Sequence, residues 1–315
     1  FAIAAITPFT VIAPAYTLPE QWDSLMASAR YSTPDHTGSV HLGEADVTGS
    51  GIVHPDEYVN LNIYWGIDER FTHDWSLFVH LTTPDGVIVG QRDVYPGGGK
   101  LATSDLPAGY YWESPVSIYV PTAAYAPETL TIDAGWYDLQ TGARLKLPDG
   151  SETYALGTVD LQPRPSDLGV PNPLSINFDH QIELVGYEMS NLTPKAGEST
   201  DLTLYWRAMQ PIEKDYTVFA HILDPQTTSI YAGSDATPGG LPTSSWKVGE
   251  IIKDRHTLTV KPETPPGIYE VEIGLYLNPG DGTFPRLTVI AADGGGTDNF
   301  AHLSRVRVLP REDGS

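Results

Sequence analysis

The chain states one pattern twice. Ile63-Tyr64-Trp65 is followed by Phe78-Val79-His80-Leu81, Asp93, Pro96-Gly97-Gly98 and Thr103-Ser104; Leu204-Tyr205-Trp206 is followed by Phe219-Ala220-His221-Ile222, Asp235, Pro238-Gly239-Gly240 and Thr243-Ser244. The offset is 206 − 65 = 141 for the Tyr-Trp pair and 221 − 80 = 141 for the histidine. Gly135-Trp136-Tyr137 and Gly274-Leu275-Tyr276 extend the match across a small deletion. Solenoid units run roughly 20–50 residues, so a period of this length indicates duplication of a whole domain. Function is therefore sought in the duplicated unit or in what lies outside it.

Length agrees with the repeat: 315 residues suit about two domains at roughly 150 residues each. Hydrophobic residues make up 40%, enough for each half to bury a core. Acidic residues number 40 against 18 basic, a formal charge of −22. Such a surface repels nucleic acid, which is bound by neutralising phosphates with Lys and Arg, and disfavours anionic lipid; it also serves solubility. The absence of cysteine excludes disulfides, thiolate metal sites and thiol nucleophiles, and is compatible with an extracytoplasmic, cell-surface or extracellular location. Abundant Gly (30) and Pro (27) between aromatic and β-branched runs point to an all-β chain.

Residues 1–16, FAIAAITPFTVIAPAY, carry no charge. They have no basic n-region like that of a signal peptide and are shorter than the roughly 20 residues of a spanning helix. Pro8 and Pro14 oppose a continuous helix. The segment, taken as 1–18, reads as a membrane junction or a docking strand, with Phe1, Ile3, Ile6, Phe9, Val11, Ile12 and Tyr16 as its contact residues. Residues 19–30 place Trp22, Leu25, Met26 and Ala29 on one helical face, and Pro19 suits a first turn; a short helix and connector over 19–38 are expected.

The first repeat spans 39–162. Its expected strands are Val40–Val47, Tyr58–Gly66, Trp75–Thr82, Val87–Asp93, Val116–Val120, Leu130–Tyr137 and Thr153–Leu161. Leu61, Ile63 and Trp65 alternate with Asn62 and Tyr64, the period of two of a strand with one buried face. Residues 163–176 are proline-rich and read as a semi-rigid linker. The second repeat spans 177–310, with a tail over 311–315. About seven short strands per repeat fit two tandem immunoglobulin-like β-sandwiches, with a β-barrel as the rival; the lack of long helices argues against a parallel α/β sheet.

The repeated polar positions are His80 with Asp93 and His221 with Asp235. Phe78 and His80 share one strand face, opposite Leu77, Val79 and Leu81; Phe219 and His221 do the same. Each pair suits either a ligand contact or a hydrogen bond that stabilises the hairpin. The sequence favours the structural role, because one imidazole per domain is short of any usual metal site; no metal or cofactor is expected. Pro-Gly-Gly reads as a turn, with glycine supplying positive φ, and lacks the GK[ST] and helix of a phosphate loop. Trp65 and Trp206 are expected in the cores. Trp75, Tyr110, Tyr111, Trp112 and Trp246 are candidate surface aromatics; the run Tyr110-Tyr111-Trp112 reads as a loop suited to sugar stacking or a protein interface. Scattered carboxylates supply neither a calcium loop nor a recognisable pair for glycoside hydrolysis, and no Gly-x-Ser-x-Gly elbow is present.

Ile182-x-Leu184-Val185-Gly186-Tyr187, Leu202–Ala208, Tyr216–Asp224, Pro238-Gly239-Gly240, Pro242-Thr243-Ser244-x-Trp246-x-x-Gly249-Glu250 and Pro265-Pro266-Gly267-x-Tyr269 form a set. Together they resemble the soluble β-rich region that follows the multi-pass membrane part of bacterial glycosyltransferase-like proteins of the dolichyl-phosphate-mannose type. Pro8-Phe9-x-Val11-Ile12-x-Pro14-Ala15-Tyr16 looks like the junction after the last membrane helix of such proteins. The first repeat departs from the pattern, with Gly43-Glu44 where Gly-Tyr is usual and no Trp two residues after Ser104. The catalytic membrane portion is absent, so the resemblance assigns transferase chemistry to no residue here. The expected function is a non-catalytic cell-surface structural or interaction protein. It would attach to a membrane or self-associate through residues 1–16. The alternative is a glycan-binding accessory region.

Overall fold

The computed structural model describes residues 27–311. The apolar contact residues expected within 1–16, and most of the helix expected over 19–30, lie outside the described residues. Ala29 and Arg30, at the end of that helical pattern, instead open a strand.

The first domain contains β1 (Ala29–Ser32), β2 (Ser39–Thr48), β3 (Ile52–Val53), β4 (Tyr58–Glu69), β5 (Ser76–Thr82), β6 (Ile88–Val94), β7 (Tyr111–Tyr119), β8 (Glu128–Tyr137) and β9 (Tyr154–Leu161). They form two sheets, ordered β1-β2-β4-β7 and β3-β9-β8-β5-β6. The fold is an immunoglobulin-like β-sandwich, with the chain crossing between the sheets from β4 to β5, β6 to β7 and β7 to β8. Alternation decides which face is inside. Leu61, Ile63, Trp65 and Ile67 of β4 are buried, as are Leu130, Ile132, Ala134 and Trp136 of β8. The Trp65 and Trp136 rings meet edge to face at 4.9 Å, a contact worth about 0.5–1.5 kcal/mol beyond the burial itself. Tyr31 crosses from β1, and its buried hydroxyl donates to the Ala134 carbonyl at 2.7 Å.

The second domain repeats the plan with β10 (Pro173–Phe178), β11 (Ile182–Met189), β12 (Ser199–Ala208), β13 (Thr217–Leu223), β14 (Ile230–Ala236), β15 (Ile251–Thr259), β16 (Gly267–Tyr276), β17 (Val289–Ile290), β18 (Ala301–His302) and β19 (Val306–Val308). One sheet runs β15-β12-β11-β10-β17, the other β14-β13-β16-β18, with β19 also on β16. Leu202, Leu204 and Trp206 face Val271, Ile273 and Leu275 in its core. Two compact units divide the described residues: 27–84, 88–120 and 129–161 in one, and 85–87, 121–128 and 162–311 in the other. The stretch read as a linker over 163–176 ends inside β10, whose Leu174 is buried in the core.

The repeated Thr-Ser is a clasp. Thr103 and Thr243 are buried, and their hydroxyl oxygens accept the amides of Trp75 (2.8 Å) and Tyr216 (2.9 Å) just before β5 and β13. The next residue completes it: the Ser104 and Ser244 amides donate to Asp74 and Asp215, each at 3.0 Å. Pro-Gly-Gly is a turn held from below. The Gly97 amide donates to Ser114 at 3.3 Å and the Gly239 amide to Asp254 at 2.9 Å. Gly239 has a φ of +61°, and a Cβ there would lie 2.7 Å from Ile252, so both conformation and space demand glycine.

Replacing Thr103 or Thr243 by valine keeps the volume and leaves a buried amide unpaired. Each substitution should cost about 1–3 kcal/mol in urea unfolding of the full chain. A loss within experimental error for both would show that the clasp does not hold these loops.

Candidate functional site

The inward side chains of β5 and β13 serve the cores, and the outward ones carry a second, repeated constellation. Phe78 and His80 point outward from β5, Phe219 and His221 from β13. Neighbouring strands supply the rest in register: Phe78 pairs with Asp93 of β6 and Gly135 of β8, and Phe219 with Asp235 of β14 and Gly274 of β16. The glycines make room for the rings. A Cβ on Gly135 would lie 2.4 Å from Phe78, and one on Gly274 would lie 2.5 Å from Phe219. An arginine from the following loop then covers each ring, Arg144 at 4.7 Å from the Phe78 centroid and Arg286 at 4.3 Å from that of Phe219. Both phenyl groups are buried as a result.

A hydrogen-bonded chain runs beside each ring. In the second domain Tyr276 donates its hydroxyl to Asp235 Oδ2 at 3.0 Å, and His221 Nε2 lies 3.3 Å from Asp235 Oδ1. In the first domain Tyr137 donates to Asp93 Oδ2 at 3.3 Å, and His80 Nε2 stands 3.9 Å from Asp93 Oδ1, outside hydrogen-bond range. Burial, reinforced by the neighbouring carboxylate, raises the pKa of both tyrosines, so they remain neutral donors at neutral pH. Burial lowers that of His80, with Arg144 acting the same way and Asp93 opposing. The pairing expected between each histidine and its aspartate is thus a hydrogen bond in the second domain and a looser approach in the first.

The second domain opens this constellation into a cleft of about 270 Å³, lined by Phe219, His221, Asp235, Tyr276, Phe284 and Arg286. Phe284 is 55% exposed and stands edge-on to Tyr276 at 5.6 Å. The cleft thus combines an accessible aromatic wall, a carboxylate, an imidazole and a guanidinium. Among the described residues no group of three or more His, Cys, Asp or Glu could hold a metal ion.

Of the aromatic run Tyr110-Tyr111-Trp112, Tyr110 stays in the loop, half-buried, and the other two belong to a strand. Tyr111 begins β7, and Trp112 pairs with Trp65 in register. Trp112 is fully buried, its ring 6.4 Å from Trp136 and its Nε1 donating to Ser114 at 3.1 Å. Alternation sends Tyr111 to the other face, where its ring packs against His41 at 5.7 Å. Trp246 is 6% exposed and belongs to the second core, and Trp75 is buried beside Phe71. Trp75, Trp112 and Trp246 are therefore core residues, and none presents a face to a sugar; the expected surface role is corrected for all three. Arg144, Arg286 and Phe284 escaped the sequence reading. The signal was present but misaligned, since arginine follows the repeated tyrosine by 144 − 137 = 7 residues in one copy and 286 − 276 = 10 in the other.

No family model and no curated protein matches the chain. Among solved structures it is similar to red sea bream transglutaminase, at 9% identity, covering 86% of this chain and 31% of that one with a TM-score of 0.23. It is also similar to a marsupial T cell receptor, at 15% identity, covering 87% of this chain and 75% of that one with a TM-score of 0.22. Neither likeness carries an argument about function; the fold assignment rests on the strand order above.

Because burial disfavours the imidazolium, His80 should titrate below the ordinary imidazole value of about 6.5. The unfolded chain then takes up the proton first, so this residue's contribution to stability falls as pH drops through about 6.5 and below. A histidine-selective NMR titration of the folded chain checks this. A value above 6.5 would mean that Asp93, and not burial, governs the site.

Proposed function

We propose that this chain is a non-catalytic, extracytoplasmic interaction protein that binds glycan through the outer-face cleft of its second domain. The observation that carries the reading is the outward Phe-His-Asp-Tyr-Arg set, kept in both copies on a face that the sandwich core does not use. In the second copy it stands beside the exposed ring of Phe284. Pyranose rings are held by an aromatic surface together with a few fixed donors and acceptors. Phe284 offers the surface, Asp235 an acceptor, Arg286 a donor, and His221 either. The cleft lining holds one carboxylate, whereas glycoside hydrolysis uses two flanking the scissile bond; this supports binding over turnover. The resemblance to the soluble region of membrane glycosyltransferase-like proteins points to the same ligand class.

Phe284→Ala removes an exposed ring and Asp235→Asn removes the acceptor charge. Each should weaken oligosaccharide binding at least tenfold in calorimetric titration, with the thermal unfolding midpoint unchanged for Phe284→Ala. An absence of binding across a broad glycan array would overturn the reading.

A second reading, membrane attachment or self-assembly through residues 1–16, is favoured by their lack of any charged side chain. A chain starting at residue 27 should then lose flotation with liposomes or sediment as a smaller species than the full chain. Identical behaviour of the two would remove that role from the segment.

A further inference from the structure

Resting on the glycan reading above, we infer that the second-domain cleft takes a carboxylate-bearing sugar, with Arg286 as the group that receives the carboxylate. The argument lies in what Arg286 does not do. The formal charge is −22, and several arginines find a carboxylate close by: Arg30 with Asp68 at 2.9 Å, Arg207 with Glu183 at 2.6 Å, Arg255 with Asp201 at 2.5 Å. Arg286 makes no ion pair with any described residue. It lines the same cleft as Asp235 without pairing with it. Its protein contacts are the Phe219 ring beneath it and a long hydrogen bond to Asn299 Oδ1 at 3.5 Å. Stacking fixes the plane of a guanidinium and leaves its N–H edge free, and that edge matches a carboxylate bidentately.

The first domain serves as an internal control. There Arg144 covers Phe78 in the same way, but its Nη1 lies 3.8 Å from Glu152 of its own domain. Two residues before Arg286 stands Phe284; two residues before Arg144 stands Gly142. The first cleft therefore has a guanidinium facing an internal carboxylate and no equivalent aromatic wall. The second lacks the internal carboxylate partner and has the aromatic wall, Phe284. An acidic pyranose satisfies both differences: its ring lies against Phe284, its carboxylate on Arg286, and its hydroxyls reach Asp235 and His221.

The test uses the full chain and three kinds of probe in calorimetric titration: trimers of galacturonate and of glucuronate, the methyl esters of each, and the corresponding neutral trimers. One of the acids is expected to bind at least tenfold more tightly than its ester and its neutral counterpart, at one site per chain. Arg286→Gln should erase that preference, and Arg286→Lys should restore part of it. Circular dichroism of each variant checks that the chain remains folded. If either variant unfolds, the comparison of acid with ester on the unaltered chain decides alone. Equal binding of acid, ester and neutral trimer overturns the carboxylate assignment and leaves the glycan reading standing. Two sites of equal affinity overturn it as well, because the first domain would then bind without the features invoked. Binding by none of these probes overturns the carboxylate assignment; the broad array decides separately on the glycan reading.

Discussion

An aromatic ring on the outer face of a sandwich organises what each domain presents to solvent. Phe78 and Phe219 lie on the side of their strands turned away from the core, where a bare phenyl would forgo about 1.5–3 kcal/mol of burial. Each domain solves the problem with the same parts. A glycine on the adjacent strand lets the ring sink, an arginine from the next loop roofs it, and a tyrosine–aspartate hydrogen bond runs along its flank. The arginine is placed by packing as much as by charge, and so in the second domain a guanidinium is held in an acidic protein without an ion pair to any described residue, its Nη1 donating only a long hydrogen bond to Asn299. Removing the ring would release the arginine, and enlarging the glycine would displace both.

The two copies diverge where a polar group meets the core. Position 254 is a buried aspartate that accepts three donors: Trp206 Nε1 at 3.1 Å, His256 Nε2 at 2.9 Å and the Gly239 amide at 2.9 Å. His256 is itself fixed by Ser234 at 3.0 Å. A buried carboxylate is tolerable only with such a full set of partners. In the first copy the corresponding residue is Ser114, which still holds its glycine but is shared with Trp112 Nε1. Trp65 Nε1, the counterpart of the Trp206 nitrogen, consequently has no partner among the described residues. The outer faces of the other sheets differ in the same manner. Glu183 and Arg207 form one pair in the second domain, and His41, Asp68 and Arg30 form a triad in the first. The scaffold is conserved between the copies while its polar contents are rewritten.

Much of the scaffold was legible in the sequence because it is carried by period-two patterns. Leu61, Ile63 and Trp65 announce β4, and Leu77, Val79 and Leu81 announce the inner face of β5. Their spacing leaves no freedom about which side chains share a face. The opposite faces of those strands were legible as well, down to the histidine beside the phenylalanine. The aromatic run at 110–112 misled, because three adjacent rings look loop-like when β7 is taken to begin at Val116. Extending the strand back to Tyr111 sends Trp112 inward, and its partner in register is the core residue Trp65. The components of the cleft were the least legible. Arg286 and Phe284 come from a loop whose length differs between the copies, so no fixed offset relates them to Arg144. The contact that matters, a guanidinium on a phenyl ring, joins strands and loops far apart in sequence.

The overall charge and the local cation act on different length scales, and this narrows what the cleft would admit. At physiological ionic strength charges are screened over about 8 Å. An approaching polyanion with closely spaced phosphates would meet the acidic surface along its whole length, while a single carboxylate placed against Arg286 would feel chiefly the charges within that distance. Of the residues lining the cleft, those are Arg286 and an Asp235 already hydrogen-bonded to tyrosine and beside the His221 imidazole. On the proposed reading, net repulsion would disfavour polymers with closely spaced phosphates, and the stacked guanidinium would receive a single carboxylate. A uronate saccharide would meet both conditions, with an apolar ring face on Phe284 and one carboxylate on the arginine that lines the cleft.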